Sequence, residues 1–320
     1  MSDTQRLLGV VMDPIESIVP SKDSTLAMML AAQDRGWTLI YLTQNDLSVQ
    51  DGIALGRGAE LSVADDPEHW FDVGGAWAGA LEEIDVILMR KDPPFDMEYV
   101  YTTYILELAE IRGALVVNRP ASLRDINEKA YTSWFPDFVP RSLISREQGE
   151  LKAFLDREGK IVVKPLDGMG GKSIFVVSSG DPNTNVILET MTDDGDRYAL
   201  AQHFIPEISD GDKRILLIDG EAVDYALARI PAPGESRGNL VVGARGEGRE
   251  LTARDREIVA AVGPTLRDKG VLFAGLDVIG DYLTEINVTS PTGIRELDRT
   301  FDLTIADGLL DVIDRRLQHA

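Results

Sequence analysis

Glu285 and Asn287 stand two residues apart in Leu283-Thr284-Glu285-Ile286-Asn287, where apolar and polar residues alternate as in a strand. Successive side chains of an extended chain point to opposite faces, so these two point the same way and offer two oxygen donors to one hard cation such as Mg²⁺. Asp277 lies eight residues earlier, on the segment Val271 to Ile279. A three-residue hairpin turn through Gly280-Asp281-Tyr282 would set it opposite Glu285 on the same face. Glu285 and Asn287 alone would read as outward polar residues of a half-buried strand. With Asp277 they match a cation held between protein and nucleotide phosphates.

A second cluster lies upstream. Lys164 closes the apolar run Ile161-Val162-Val163 and precedes Gly168-Met169-Gly170-Gly171, a loop whose backbone can close over phosphate oxygens without side-chain obstruction. The stretch ends Gly171-Lys172-Ser173, but a P-loop needs glycine where Leu166 stands, so that reading is rejected. Arg90 and Lys91 follow the strand-like Val86 to Met89, the end at which open parallel sheets bind ligands. Together these residues point to chemistry on a nucleoside triphosphate.

The elements that must position them alternate. Leu7 to Met12, Trp37 to Leu42, Asp85 to Met89 and Ala114 to Val117 read as strands, and Ser24 to Arg35 and Glu98 to Arg112 as helices stopped by Gly36 and Gly113. Such alternation predicts a parallel sheet covered by helices. Ser122 reads as the N-cap of a helix carrying Lys129, and Asp137 to Pro140 as the entry to a second compact unit. From Leu151 the order becomes helix, two strands flanking the glycine loop, a helix from Pro182 to Met191, and the strand Tyr198 to Phe204. Asp219-Gly220 marks a hairpin. Pro231 to Gly248, rich in glycine with few large apolar residues, reads as a long mobile loop, and Arg237 and Arg245 make it a candidate lid.

Composition narrows the chemistry. The 320 residues exceed the usual limit of a single core, and 44% apolar with 27% charged residues describes a soluble globular protein. There is no cysteine, which excludes disulfides, thiolate nucleophiles and sulfur-bound zinc, and His69, His203 and His319 are too dispersed for a local metal motif. A net charge of −22 argues against a nucleic-acid partner. No stretch is long and apolar enough to span a bilayer, and the start lacks a signal-peptide pattern.

Across nearly its whole length the chain resembles the ATP-grasp ligases, and within them the prokaryotic glutathione synthetase family. The resemblance runs through Val11 to Pro14, Ile87 to Asp96, Leu123 to Lys129, Lys164 to Gly171, Asp210 to Arg214 and Gly275 to Thr292. The last stretch, Leu283 to Thr292, is specific to this family among ATP-grasp proteins. One departure is Gly293, where relatives carry cysteine; acyl phosphate chemistry asks nothing of a thiol there, so activity is expected to survive.

The resemblance implies an α/β protein, α+β in its C-terminal part. A Rossmann-like domain (1–121) would precede a two-subdomain ATP-grasp module (122–204 and 205–320, with the mobile loop 231–248). It implies ATP-dependent joining of γ-glutamylcysteine to glycine through a cysteinyl acyl phosphate, in the cytoplasm, by a homotetramer without nucleic-acid or membrane partners. Lys129 and Lys164 would contact ATP phosphates under the loop Gly168, Met169, Gly170, Gly171, and His203, Phe204 and Ile205 would read adenine. Asp277, Glu285 and Asn287 would hold two Mg²⁺ ions, with Mn²⁺ able to substitute. Arg214 and Arg229 would hold the acyl phosphate and the developing oxyanion. Arg90, Ser290 and Thr292 would bind γ-glutamylcysteine, and Arg237 with Arg245 would sit on the lid. Two other readings stand beside this one: an ATP-grasp ligase of different specificity, and a non-catalytic nucleotide-binding module.

Overall fold

A computed structural model describes residues 6–168, 173–232 and 245–319. Its first sheet is built on β1 (Leu7–Val11), β2 (Thr38–Leu42), β3 (Leu47–Gln50), β4 (Ile53–Val63), β5 (Phe71–Ala80), β6 (Val86–Met89) and β7 (Leu115–Val117), with α1 (Ser24–Asp34), α2 (Met97–Ile111) and α3 (Pro120–Asp125) between them. The parallel part is β2-β1-β6-β7, each strand an apolar run buried by helices. The expected parallel sheet is extended by an antiparallel arm, in which β4 pairs with β2, β3 and β5. The glycine- and alanine-rich 71–80 segment carries little hydrophobic periodicity that could have announced this extension.

Two further sheets follow. One contains β8 (Ser142–Ser145), β9 (Lys160–Pro165), β10 (Phe175–Ser178) and β11 (Ala199–His203) in the order β10-β9-β11-β8, with α4 (Gln148–Glu158) and α5 (Thr184–Thr192). The other runs β14-β13-β12-β15-β16 through β12 (Asp212–Ile218), β13 (Glu221–Ile230), β14 (Arg245–Glu250), β15 (Phe273–Ile279) and β16 (Tyr282–Asn287). α6 (Ala253–Asp268) joins β14 to β15, and α7 (Ile294–Phe301) and α8 (Ile305–His319) end the chain. The middle sheet has its own apolar core, Leu151, Phe154, Ile161, Val163 and Leu188 among its members. The first and third sheets share theirs: Leu309 and Ile313 of α8 pack with Leu26 and Met29 of α1.

Two turns bear on the site. Asp219 and Gly220 both take positive φ, as a two-residue hairpin of the Asp-Gly type requires. The β15–β16 turn is not the expected three-residue one: Ile279 pairs with Tyr282 across Gly280-Asp281. A bulge then inserts one residue between the pairs Val278–Leu283 and Asp277–Glu285. The bulge restores the parity that a two-residue turn would break, so Asp277 still faces Glu285. Ser122 does not cap a helix bearing Lys129. It lies inside α3, where Pro120 opens the first turn, and Lys129 follows on irregular chain. The loop read as running to Gly248 gives way to strand at Arg245.

Candidate active site

β12 begins Asp212-Lys213-Arg214, and alternation sends its side chains to opposite faces. Lys213 turns away to meet Asp255 Oδ1 at 2.5 Å beneath the sheet. Asp212 and Arg214 turn to the other face, where register sets Arg229 beside Asp212, Asp277 beside Arg214, and Glu285 beside Asp277. Arg214 donates from Nε to Asp277 Oδ1 at 2.5 Å and from Nη2 to Oδ2 at 2.9 Å. Arg229 Nη2 lies 2.9 Å from the same Oδ2 and donates to Asp212 Oδ2 at 2.5 Å. Burial works against ionisation of Asp277, but the two guanidiniums overcome it and hold the carboxyl well below the usual range. Burial, reinforced by Asp277 and Glu285 and opposed by Arg229, pushes Asp212 up to about 7. Its Oδ1 has no hydrogen-bond partner among the described residues.

The lysines arrive from other elements. Ile286 N–H donates to the Glu128 carbonyl and Leu283 N–H to that of Phe138, so the chain from 128 to 138 runs along the outer edge of β16. Lys129 thereby lies 3.9 Å from Glu285 Oε1, pairs with the Glu128 carboxylate, and donates to the Gly168 carbonyl at 2.6 Å. Lys164, the penultimate residue of β9, lies 3.7 Å from the same Glu285 oxygen. Burial would discharge Lys129, but Glu285 and Glu128 more than compensate and raise its pKa. Burial and the neighbouring Glu285 push Glu128 up to about 7 against the pull of Lys129. A Cβ on Gly168 would sit 2.4 Å from Pro165 Cγ, so glycine is what lets this loop fold down onto Lys129.

Asn287 faces the same side as Glu285, its Nδ2 3.4 Å from the Gly275 carbonyl. Arg90 is buried; its Nε donates to Thr25 Oγ1 and its Nη2 to the Pro291 carbonyl, both at 3.0 Å, so the first sheet meets the 288–294 segment there. Ser290 is half-buried and Thr292 exposed, with the Thr292 carbonyl 3.5 Å from Arg214 Nη1. Gly293 adopts φ +125°, which disfavours any side chain, although a Cβ would meet nothing nearer than Leu227 Cδ2 at 3.6 Å. His203 and Phe204 use their N–H groups on the Arg141 and Lys160 carbonyls, whereas the Ile205 N–H has no partner among the described residues. His203 also binds Glu158 at 3.0 Å. Arg245 is exposed at the start of β14 and pairs with Glu247, away from the carboxylate cluster. Met169, Gly170, Gly171 and Arg237 lie outside the described residues.

Sequence reasoning missed Asp212, Glu128 and the Lys213–Asp255 pair. Asp212 had a signal, since it stands two before Arg214 on a strand and must share its face. Glu128 had none, because its place depends on chain 128–138 lying beside β16.

The arrangement brings four cations (Lys129, Lys164, Arg214, Arg229) and four carboxyls (Glu128, Asp212, Asp277, Glu285) onto one face between the second and third sheets. It can receive a polyphosphate and a hard cation. The chain was also compared with known proteins. The family model "Prokaryotic glutathione synthetase, N-terminal domain" matches residues 7–124, and "Prokaryotic glutathione synthetase, ATP-grasp domain" matches 128–302. A protein of Pseudomonas putida named glutathione synthetase is 59% identical over 311 residues, 97% of this chain and 98% of the relative. Among solved structures, D-cycloserine synthetase DcsG aligns with TM-score 0.68 at 14% identity, covering 97% of this chain and 99% of that one. The ATP-grasp ligase PsnB, solved with a minimal precursor, Mg and ADP, aligns with TM-score 0.62 at 13% identity, each chain covered to 98%.

Proposed function

The chain belongs to the prokaryotic glutathione synthetase family, and on that premise we propose how its residues carry out the ATP-dependent joining of γ-glutamylcysteine to glycine. The observation that carries the proposal is the convergence of Lys129, Lys164, Arg214 and Arg229 on Asp277 and Glu285 from separate elements.

In this reading Lys129 and Lys164 hold the ATP phosphates, Gly168, Met169, Gly170 and Gly171 fold over them, and the strand end at His203, Phe204 and Ile205 receives adenine. The Ile205 N–H, without a partner among the described residues, is the donor that supports this placement. A cysteinyl carboxylate oxygen attacks the γ-phosphorus and ADP leaves. The glycine amine then attacks the acyl carbon, losing a proton as phosphate departs. Arg214 and Arg229 stand where the phosphorylated carboxylate and the tetrahedral oxyanion carry charge, and positioning with charge neutralisation supplies the rate. Arg90, Ser290 and Thr292 form the dipeptide end of the site, and Arg237 with Arg245 lie on the segment that excludes water from the acyl phosphate.

Asp277, Glu285 and Asn287 fit a divalent cation: two carboxylates and an amide oxygen on one face are hard donors. They are too few to complete a shell, which leaves room for phosphate oxygens. Asp277 makes three contacts to its two arginines and keeps a lone pair free on Oδ1. We assign these residues to two Mg²⁺ ions, replaceable by Mn²⁺, which when bound screen the phosphate charge during transfer.

We further propose domains at 1–121, 122–204 and 205–320, a cytoplasmic setting and a homotetramer. No helix of the described residues is long and apolar enough to cross a membrane. Assembly is supported by α2, whose outer side carries Met97, Tyr101, Tyr104 and Ile111, all exposed, at helical spacing with no charge between them on that stripe.

The deciding assay is phosphate release with Mg-ATP and γ-glutamylcysteine, with and without glycine, alongside mass detection of the tripeptide. Glycine-dependent release matched by glutathione supports the assignment. Release without tripeptide means a different acceptor, and no release means a binding module.

A further inference from the structure

Asn118 follows β7 in the first sheet, yet its side chain serves the third. Nδ2 donates to the Phe273 and Val288 carbonyls, each at 2.7 Å. Oδ1 accepts from the Leu272 N–H at 2.8 Å and the Phe273 N–H at 2.9 Å. The residue is buried, and all four hydrogen bonds go to backbone. They fall at one place: β15 begins at Phe273, and β16 leaves its partner after the last pair, Gly275–Asn287. An amide that donates to carbonyls of both strands fills the gap where the ladder opens and fixes the direction in which 288–292 departs. Arg90 on the Pro291 carbonyl and Ser24 Oγ on the Ile294 N–H, at 3.3 Å, hold the same segment further on. Val288 and Thr289 are one wall of a cleft whose other walls include Phe95, Asn127 and Asp167.

We propose that Asn118 is a positioning residue for the dipeptide substrate: its amide sets the course of 288–292, and through it the wall of the cleft that takes γ-glutamylcysteine. This rests on the ligase reading above. Lys129 and Lys164 sit on other elements and Asp277 and Glu285 on the intact ladder, so Asn118 leaves them in place; Asn287, next to Val288, is still held by the last ladder pair and by its contact to the Gly275 carbonyl.

Two variants test it, Asn118→Ala, which removes all four bonds, and Asn118→Asp, which keeps the acceptor and loses both donations. Wild-type protein must first form glutathione; if it does not, the ligase reading fails and Asn118 is not at issue. With that established, both variants are expected to raise KM for γ-glutamylcysteine at least about tenfold, since each removes two or more buried hydrogen bonds. KM for ATP should stay within about twofold, and Mg-ATP should still shift the melting temperature as in the wild type. An unchanged KM for the dipeptide, or an equal rise for ATP, overturns the proposal. So does loss of the cooperative melt in both variants, since Asn118 would then be a folding residue.

Discussion

Replacing Glu285 by glutamine separates the metal role from the structural one. The carboxylate lies 3.9 Å from Lys129 Nζ and 3.7 Å from Lys164 Nζ, attractions of about 4 kcal/mol each at an effective dielectric of about 20. Against them stand repulsions from Glu128 and Asp212, both of which Glu285 pushes upward. Because attraction and repulsion oppose one another, Glu285→Gln is expected to leave neutral-pH stability within about 1–2 kcal/mol of wild type. Catalysis has no such compensation: if Glu285 is a donor to the proposed Mg²⁺ site, its loss is expected to lower kcat by about 10²–10³-fold. The ligase assay at saturating Mg-ATP reads the rate, and urea unfolding reads the fold. A rate near normal would remove Glu285 from the metal site.

The same variant has a pH signature in metal-free protein. Glu128 and Asp212 are each raised to about 7, so the folded state holds their protons more tightly than the unfolded chain. That stabilisation is complete below their unfolded pKa values and is lost as pH rises through about 7, up to about 3 kcal/mol for Glu128. Asp277 has the opposite sign: its contribution is present above the ordinary aspartate range and is lost only in stronger acid. Between pH 5 and 8 wild-type stability should therefore fall. Glutamine at 285 removes one of the charges that raise Glu128 and Asp212, so the fall should be shallower. An unaltered slope would refute the electrostatic account of the cluster.

Three further outcomes are expected. Lys213→Met leaves the buried Asp255 carboxylate without its cation, with only the Thr252 N–H on Oδ2, and should lower unfolding free energy by about 3–5 kcal/mol in urea; a loss below about 1 kcal/mol would mean the N-cap contact suffices. Replacing Arg237 and Arg245 together by alanine should raise phosphate released per tripeptide at least about twofold as water reaches the acyl phosphate, and unchanged coupling would take the segment out of the lid role. Ile111→Glu, on the exposed stripe of α2, should lower the light-scattering mass from four times 35.1 kDa, and an unaltered mass would place the contact elsewhere.

Strand register was legible where alternation left one solution. Asp277, Glu285 and Asn287 were placed on one face from spacing alone, even though the turn assumed was one residue too long, because the bulge supplies the missing residue. Parity was readable; its mechanism was not, since a bulge at Thr284 leaves no mark on the sequence. The antiparallel arm 47–80 escaped for a different reason: Gly74, Gly75 and Gly79 weaken the hydrophobic signal by which strands are recognised. Glu128 and Asn118 were invisible because their partners are backbone groups of elements more than 150 residues away, contacts that only the assembled third sheet creates.

The charge balance of the site answers a difficulty posed by the chain's −22. A polyphosphate approaching so acidic a protein is repelled, and cations scattered over the surface would be screened within about 10 Å. Here four cations are gathered where solvent is largely excluded and interactions are less screened. Two of them, Lys129 and Lys164, come from outside the third sheet and lie 3.9 and 3.7 Å from the Glu285 carboxylate. The middle sheet has its own apolar core, so these ion pairs and the Lys129–Gly168 bond are among its links to β15 and β16. Phosphates that take over the lysines would replace those links with stronger, charge-assisted ones. ATP binding should then tighten the middle sheet against the third. Hydrogen exchange in β9 and β11 would slow on adding Mg-ATP if this is right, and slowing confined to the glycine loop would show that the two sheets are coupled without it.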